Sequence, residues 1–85
     1  MVRVGKYIIV SVMNVKCCIM FDSIIPHSSF LTIYPEQVII SAGFFKLFCD
    51  DGVIPQVDTF GRSETLNISS NPDDQQLILR VLFGE

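Results

Sequence analysis

The alternation of apolar and polar positions divides the chain into short elements separated by turn-forming residues. Residues 5–13 (GKYIIVSVM) and 16–21 (KCCIMF) are rich in β-branched and aromatic side chains and predict two strands. Asn14 is the natural turn between them, so the two strands are expected to form a hairpin. Because both strands are apolar on both faces, we expect them in the middle of a sheet, with a helix over at least one face.

A short helix and the longest apolar run come next. Residues 27–34 (HSSFLTIY) carry apolar side chains at helical spacing between Pro26 and Pro35, which predicts a short helix. Residues 38–49 (VIISAGFFKLFC) predict a strand with a β-branched start. Small residues at 41–43 within this run predict a bulge or a close approach of another backbone.

The segment after residue 49 is predicted to form a strand that pairs with the preceding one, followed by a polar turn. Asp50-Asp51-Gly52 is a hairpin signal, and residues 53–60 (VIPQVDTF) are the expected partner strand. Pro55 lacks an N–H group, so this strand is predicted to lie at an edge or to contain a bulge. A further short strand is predicted at residues 65–68, after a turn that begins at Gly61.

The last element carries clear helix signals. Ser70 or Asn71 is the expected cap, a proline occupies the first turn, and two acidic residues (Asp73 and Asp74) face the positive end of the helix dipole. Gly84 is the predicted end. The order β-β-α-β-β-β-α predicts an α+β fold in one domain, residues 1–85: a mixed or antiparallel sheet of about five strands with two helices.

Composition and charge narrow the classes of partner. Hydrophobic residues make up 49% of the 85 residues. The core of a domain of this length is too small to bury all of these side chains, which predicts a homo-oligomer or a protein partner. A net charge of -3 without a cluster of Lys and Arg argues against nucleic acid. The apolar runs are broken by charged residues and are too short for a membrane span.

The cysteines and the lone histidine limit the possible chemistry. Three cysteines, Cys17, Cys18 and Cys49, are a poor disulfide set and predict small buried side chains in a reducing cytoplasm. One histidine and scattered acids do not form a metal-ligand set, so no metal and no cofactor are predicted.

Two groups of residues are candidates for a site. His27, the single histidine, stands at a predicted helix start and has the side chain most often used as a general base or phosphoryl acceptor. The turn containing Gly61, Ser63 and Thr65 has the composition of loops whose N–H groups hold an anion. Lys6 could add positive charge. Each also has a structural interpretation: a capping or exposed histidine, an ordinary hairpin turn and a surface lysine.

Three short motifs resemble the Janus/Ocnus family, which includes the protein-histidine phosphatases. Residues 6–10 (KYIIV) are similar to the Lys-Tyr-Val-Leu-Ile segment of that family, His27 to the histidine that opens a helix, and residues 60–66 (FGRSETL) to the Tyr-Gly-Tyr-Ser-x-x-Tyr motif. The resemblance implies a mixed sheet with packed helices. It also implies that His27 is the catalytic base with Lys6 beside it, and that the N–H groups near Ser63 and Thr65 hold phosphate oxygens without a metal.

The chain departs from that family in length, in lacking its Cys-rich segment, and in the residues that follow His27. Its layout of His-Ser, Ser-Ala-Gly-Phe and Gly-x-Ser-x-x-Leu also resembles small uncharacterised phage and bacterial proteins. The sequence therefore supports two hypotheses. The first is a small oligomeric, partner-binding module of the cytoplasm. The alternative is a phosphohistidine-phosphatase-like or phosphate-binding protein.

Overall fold

A computed structural model describes residues 2–84 and has the predicted α+β fold. A four-stranded antiparallel sheet has the strand order β2-β1-β3-β4, and a separate two-stranded ribbon pairs β5 with β6. The strands are β1 (Val2–Val12), β2 (Val15–Phe21), β3 (Ile39–Phe48), β4 (Gln56–Phe60), β5 (Arg62–Ser63) and β6 (Ile68–Ser69). One α-helix, α1 (Asp74–Phe83), and two short 3₁₀ helices, His27–Thr32 and Glu36–Val38, complete the fold.

The β1–β2 hairpin turns through two residues, as the sequence predicts. Met13 and Asn14 have φ of 53° and 66°, the positive values that the common two-residue hairpin turn requires. Val12 and Val15 face each other next to the turn and form a hydrogen-bonded pair. Because hydrogen bonding alternates along a strand, the N–H and C=O groups of Lys16, Cys18 and Met20 point away from β1.

The prediction that both opening strands are central is right for β1 and wrong for β2. β1 pairs with β2 on one side and β3 on the other, whereas β2 is an edge strand. Its continuous apolar pattern has another cause. Cys18 and Met20 pack on the face of the sheet that α1 covers, and Ile19 and Phe21 pack on the opposite face. An edge strand covered on both faces has the same pattern as a central strand.

The sheet separates two apolar clusters, one on each face. The cluster beneath α1 contains Tyr7, Ile9, Leu47, Val57 and Ile78. The cluster on the other face contains Ile8, Val10, Ile39, Ala42 and Leu66, and the 3₁₀ helices and the ribbon contribute side chains to it. Successive residues of β1 alternate between these clusters, which explains why this strand has no polar face.

Of the two forms of irregularity predicted at residues 41–43, the close approach is confirmed at Gly43, whereas the bulge lies one residue before that range. Ile9 lies opposite Ser41 and Val10 opposite Ile39, so Ile40 is the extra residue of a bulge. A Cβ atom on Gly43 would lie 2.8 Å from the Phe60 carbonyl oxygen and 2.9 Å from Ser70 Cβ. Glycine at this position therefore lets the chain leaving β4 approach β3 closely.

Several predicted boundaries are wrong. The helix expected over residues 27–34 is a 3₁₀ helix of six residues, His27–Thr32, which ends before Pro35. β4 begins at Gln56, after Pro55, and is an edge strand as predicted. The strand expected at residues 65–68 is mostly turn, with Asn67 at φ 56°, so β6 begins at Ile68.

The prediction that the three cysteines are buried is wrong for Cys17, which is exposed.

Candidate functional site

The start of the first 3₁₀ helix holds His27 in the interior. This side chain is only 3% exposed, and its Nε2 lies 2.9 Å from the Gly43 carbonyl oxygen. A carbonyl oxygen only accepts, so Nε2 donates and carries the proton in the neutral ring. The Phe21 and Phe44 rings pack against it in T-shaped geometry. Burial lowers the pKa of His27; the bond to Gly43 opposes this shift, and the charge of Lys6 adds to it.

Lys6 lies beside the same aromatic ring. Its Nζ donates to the Ile25 carbonyl oxygen at 3.1 Å and lies 5.9 Å from the centroid of the Phe44 ring. Because Lys6 comes from β1 and His27 from the first 3₁₀ helix, the tertiary structure brings together two residues that are distant along the chain. The charge of the Lys6 ammonium acts on His27 and disfavours its protonation.

The predicted anion-binding turn of Gly61, Ser63 and Thr65 lies in and beside the β5–β6 ribbon. Gly61 has φ 72°, and a Cβ there would lie 3.0 Å from Phe44 Cδ2, so Gly61 borders the same ring as Lys6 and His27. Ser63 is fully buried, and its Oγ accepts the Leu66 N–H at 3.1 Å. Thr65 Oγ1 lies 3.3 Å from that hydroxyl. The Ser63 hydroxyl thus stabilises the turn, and the Leu66 N–H is already bonded.

The aromatic ring of Phe44 is consequently the meeting point of three of the five predicted site residues. It stacks on Phe60, with ring centroids 5.7 Å apart. Lys6, His27 and Gly61 surround it, whereas Ser63 and Thr65 direct their hydroxyls toward each other inside the ribbon turn. This arrangement brings a lysine and a neutral histidine together at one aromatic ring.

A second polar cluster was not recognised as such in the sequence. The Tyr7 hydroxyl donates to Asp74 Oδ2 at 2.6 Å, and the Asn71 N–H donates to the same oxygen at 3.1 Å. Burial and then the bond to Asp74 raise the pKa of Tyr7. Burial and then the charge of Asp74 raise the pKa of the Cys18 thiol to about 12. Asp74 is the buried charge of the α1 face, besides being a residue of the helix start.

Asn71 and Asp74 also bond within the turn that leads into α1. Asn71 Oδ1 accepts the Asp73 N–H at 3.0 Å, while Asp74 accepts the N–H of Asn71 in return. This reciprocal pair resembles a capping box. The cap position of α1 itself is occupied by Asp73, whose side chain makes no capping bond, so the prediction of Ser70 or Asn71 at that position is wrong. The pairing of Asp74 with Tyr7, 67 positions away in the chain, gives no signal in the sequence.

Three further observations complete the description of residues 2–84. A groove of about 550 Å³ lies between α1 and the loop before β4 and is lined by Ile54, Pro55, Gln76, Leu79, Arg80 and Phe83. Within residues 2–84, no group of three or more His, Cys, Asp or Glu side chains is placed to hold a metal ion. None of the helices in that range is long and apolar enough to cross a membrane.

Comparisons with protein-family models, curated proteins and solved structures found no match to this chain. The class that the structure defines is therefore an α+β protein with a four-stranded antiparallel sheet covered on both faces. The resemblance to the Janus/Ocnus family stays a prediction that rests on the three motifs.

Proposed function

We propose that this protein is a small homo-oligomeric binding module whose copies associate through the open edge of β2. The observation that carries the proposal is the bare hydrogen-bonding edge of a seven-residue strand, Val15–Phe21. The outward N–H and C=O groups of Lys16, Cys18 and Met20 have no strand beside them. An edge of this kind is a template for pairing with another strand.

The two edge strands of the sheet, β2 and β4, differ in how well they are protected against pairing with another strand. β4 has only five residues, follows Pro55, and carries Asp58 on its exposed side. Proline, short length and charge are the features by which natural edge strands avoid pairing. β2 contains no proline, and its only charged residue is Lys16 at its start. Association is therefore expected at β2 rather than at β4.

A second copy of the chain fits this edge because the strand is complementary to itself. A two-fold axis pairs β2 with its own copy in antiparallel orientation. With Ile19 opposite Ile19 of the partner subunit, Cys18 faces Met20 of the partner subunit, and both residues have outward backbone groups. The same register sets Lys16 opposite Asp22 of the partner subunit, so two ion pairs flank an apolar centre.

The rest of the surface supports partner binding more generally. Among the described residues, exposed large apolar side chains outnumber those of the buried core. Met13 is 92% exposed and Ile24 85% exposed, one at each end of β2. A dimer through β2 would leave other exposed apolar residues, including Ile54 and Phe83, for further contacts. The proposal includes a cytoplasmic location and no nucleic-acid partner.

A charge-swap experiment tests both the dimer and its register. Sedimentation equilibrium would compare the wild type with Lys16→Glu, Asp22→Lys and the double variant. Each single change sets like charges opposite each other at two places, so we expect the dimer to weaken about 10-fold. The double variant restores opposite charges and should return to within about twofold of wild type.

Two outcomes would count against the proposal. A wild-type protein that remains a monomer at millimolar concentration would overturn it. A dimer that none of the three variants affects would assign association to another surface. Circular dichroism on each variant checks that the sheet is intact, because Lys16 and Asp22 are both exposed.

A second candidate function is phosphate binding with a phosphatase-like reaction, and the meeting of Lys6 and His27 at Phe44 favours it. Because His27 Nε2 donates to Gly43, its Nδ1 is the nitrogen left to accept a proton. In this function, Lys6 supplies charge, and the turn of Gly61, Ser63 and Thr65 holds the phosphate.

An NMR titration with inorganic phosphate tests this second function. It would follow the His27 ring together with the amides of Ser63 and Thr65. Coupled, saturable shifts of both groups would indicate one shared anion site and would justify an assay with phosphohistidine substrates. Shifts that are absent at millimolar phosphate would leave His27 and the ribbon turn with structural roles only.

A further inference from the structure

The groove between α1 and the loop before β4, called here the α1–β4 groove, has no part in either function proposed above. Its volume of about 550 Å³ lies within the range of small-molecule sites. The residues that line it are Ile54, Pro55, Gln76, Leu79, Arg80 and Phe83. These six residues come from α1 and the loop, and none of them belongs to β2 or to the cluster of Lys6 and His27.

The two walls of the α1–β4 groove are apolar. Leu79 and Phe83 lie one helical turn apart on α1, and Ile54 and Pro55 form the wall that the loop contributes. Ile54 is 83% exposed and Phe83 is 44% exposed. Large apolar side chains are stabilised when a ligand removes them from water, so an apolar chain between these walls would bind favourably.

The polar side chains of the α1–β4 groove favour a negatively charged group. Within residues 2–84, Arg80 is the one charged lining residue, and no carboxylate lines the groove. The Arg80 side chain is exposed, and its guanidinium has no ion pair or hydrogen bond in that part of the chain. Gln76 precedes Arg80 by four positions, so its amide lies on the same side of α1. An anion is therefore the charged group that fits.

Arg80 also has a structural role at the end of α1. It lies in the last turn, where a positive charge offsets the negative end of the helix dipole. That role depends on its charge and occupies none of its five N–H donors. The backbone of the turn is stabilised separately, because the Gly84 N–H donates to the Arg80 carbonyl oxygen at 2.8 Å. The guanidinium donors therefore remain available to a ligand.

We propose that the α1–β4 groove binds a medium-chain fatty acid anion, with its carboxylate on Arg80 and its alkyl chain between Ile54 and Phe83. A planar carboxylate matches the guanidinium fork and carries the single negative charge that one arginine balances. The Gln76 amide has donors for a further hydrogen bond to this carboxylate. A groove with α1 on one side and the loop on the other suits a single alkyl chain.

A second apolar groove, of about 410 Å³, supplies a comparison within the same molecule. It is lined by Arg3, Val4, Gly5, Met20, Phe21, Phe45, Leu47 and Leu82. Arg3 is the one polar side chain in this lining, with no amide beside it. We expect the α1–β4 groove to be the preferred site, which makes Arg3 the matched control for Arg80.

The test is an NMR titration of the intact protein with sodium octanoate at neutral pH. We expect the amides of Ile54, Leu79 and Phe83, together with the Nε–H signal of Arg80, to shift saturably below about 10 mM, a range that covers millimolar dissociation constants. Octylammonium chloride has the same chain with the opposite charge, and sodium acetate has the carboxylate without the chain. Each should bind at least about 10-fold more weakly than octanoate.

Substitutions of arginine assign the contact with the carboxylate. Arg80→Gln should weaken octanoate binding about 10-fold, because the charged hydrogen bonds are lost. Arg80→Lys keeps the charge and its effect on the helix dipole but lacks the planar fork, so it should weaken binding less, about 3-fold. Arg3→Gln removes the charge of the second groove and should leave the affinity unchanged.

Two neighbouring residues of the loop assign the contact with the alkyl chain. Ile54→Ser should weaken octanoate binding about 5-fold, because an apolar wall is lost. Val53 is 60% exposed but does not line the groove, so Val53→Ser should have no effect. Circular dichroism on each variant checks that the fold is intact, and both side chains are exposed.

Four results would each overturn the proposal: no saturable shift with octanoate, octylammonium binding as tightly as octanoate, Arg80→Gln binding as tightly as Arg3→Gln, or Ile54→Ser binding as tightly as Val53→Ser. The dimer of β2 is measured by sedimentation and the groove by titration, so either proposal can fail without the other. The substitutions used here leave β2 unchanged.

Discussion

The protonation of His27 depends on the burial of its ring as well as on the ordinary pKa of an imidazole. It is the only histidine in the chain, so any change in stability from imidazole titration belongs to it. Its interior position against Phe21 and Phe44 disfavours the charged ring. The sequence suggested either a base or an exposed cap, whereas the structure shows a buried donor to the Gly43 carbonyl.

The lowered pKa of His27 predicts a loss of stability on the acid side. The unfolded chain takes up a proton near the ordinary value of 6.5, while the folded ring does so only at lower pH. The unfolded state therefore binds more protons in this window, and the free energy of unfolding should fall as pH drops below about 6.5. Urea titrations at a series of pH values measure this change.

The matched variant is His27→Gln, whose amide is also a donor that could bond to the Gly43 carbonyl. Between pH 5 and about 6.5 its stability should change much less than that of the wild type, since glutamine does not titrate. If the two proteins lost stability in parallel over this range, the effect would belong to carboxyl groups and the prediction would be wrong.

At the scale of elements, the close approach of β3 to the chain leaving β4 depends on Gly43. The carbonyl oxygen of Phe60 and the Cβ of Ser70 leave no room for a side chain there. The same approach brings the β5–β6 ribbon over the sheet, where Leu66 joins the cluster with Ile8. Glycine at position 43 therefore leaves the room that the chain needs where it passes beside β3.

We expect Gly43→Ala to lower the free energy of unfolding by about 1–3 kcal/mol, because backbone atoms must move to admit the new methyl group. Urea denaturation measures this loss. Gly52→Ala is the comparison: its new methyl group meets open space, but its φ of +76° still strains an alanine. That strain should cost about 1 kcal/mol. A smaller loss at position 43 than at position 52 would contradict the close approach.

At the scale of the whole molecule, the proposed dimer through β2 would couple stability to association. A protein with 49% hydrophobic residues and a sheet edge lacking protective features is expected to gain stability when copies pair. Only the native strand could form the proposed two-fold ladder, so such a dimer would stabilise the folded state over the unfolded state.

This coupling predicts a Tm that rises with protein concentration. Differential scanning calorimetry over a 100-fold range of concentration would measure the rise, and Lys16→Glu should reduce it, because that change sets like charges opposite each other across the proposed ladder. The double variant with Asp22→Lys should recover the concentration dependence. A Tm independent of concentration in the wild type would argue for a monomer.

The sequence by itself determined most of the local structure. The alternation of apolar residues located the main strands, Asn14 and Gly84 located a turn and a helix end, and the small residues at 41–43 located the close approach at Gly43. These features follow from the backbone preferences of single residues and from the pattern along a few neighbours. That is why residues 2–84 have the predicted α+β class despite several wrong boundaries.

Only the tertiary structure decided which elements are neighbours. An apolar strand has the same pattern at an edge or in the centre if both its faces are covered, so the sequence did not reveal the open edge of β2. The bond between Tyr7 and Asp74 and the groove that Ile54 and Arg80 line depend on contacts between distant segments. The candidate sites rest on those contacts, because a side chain gains chemical character from what surrounds it after folding.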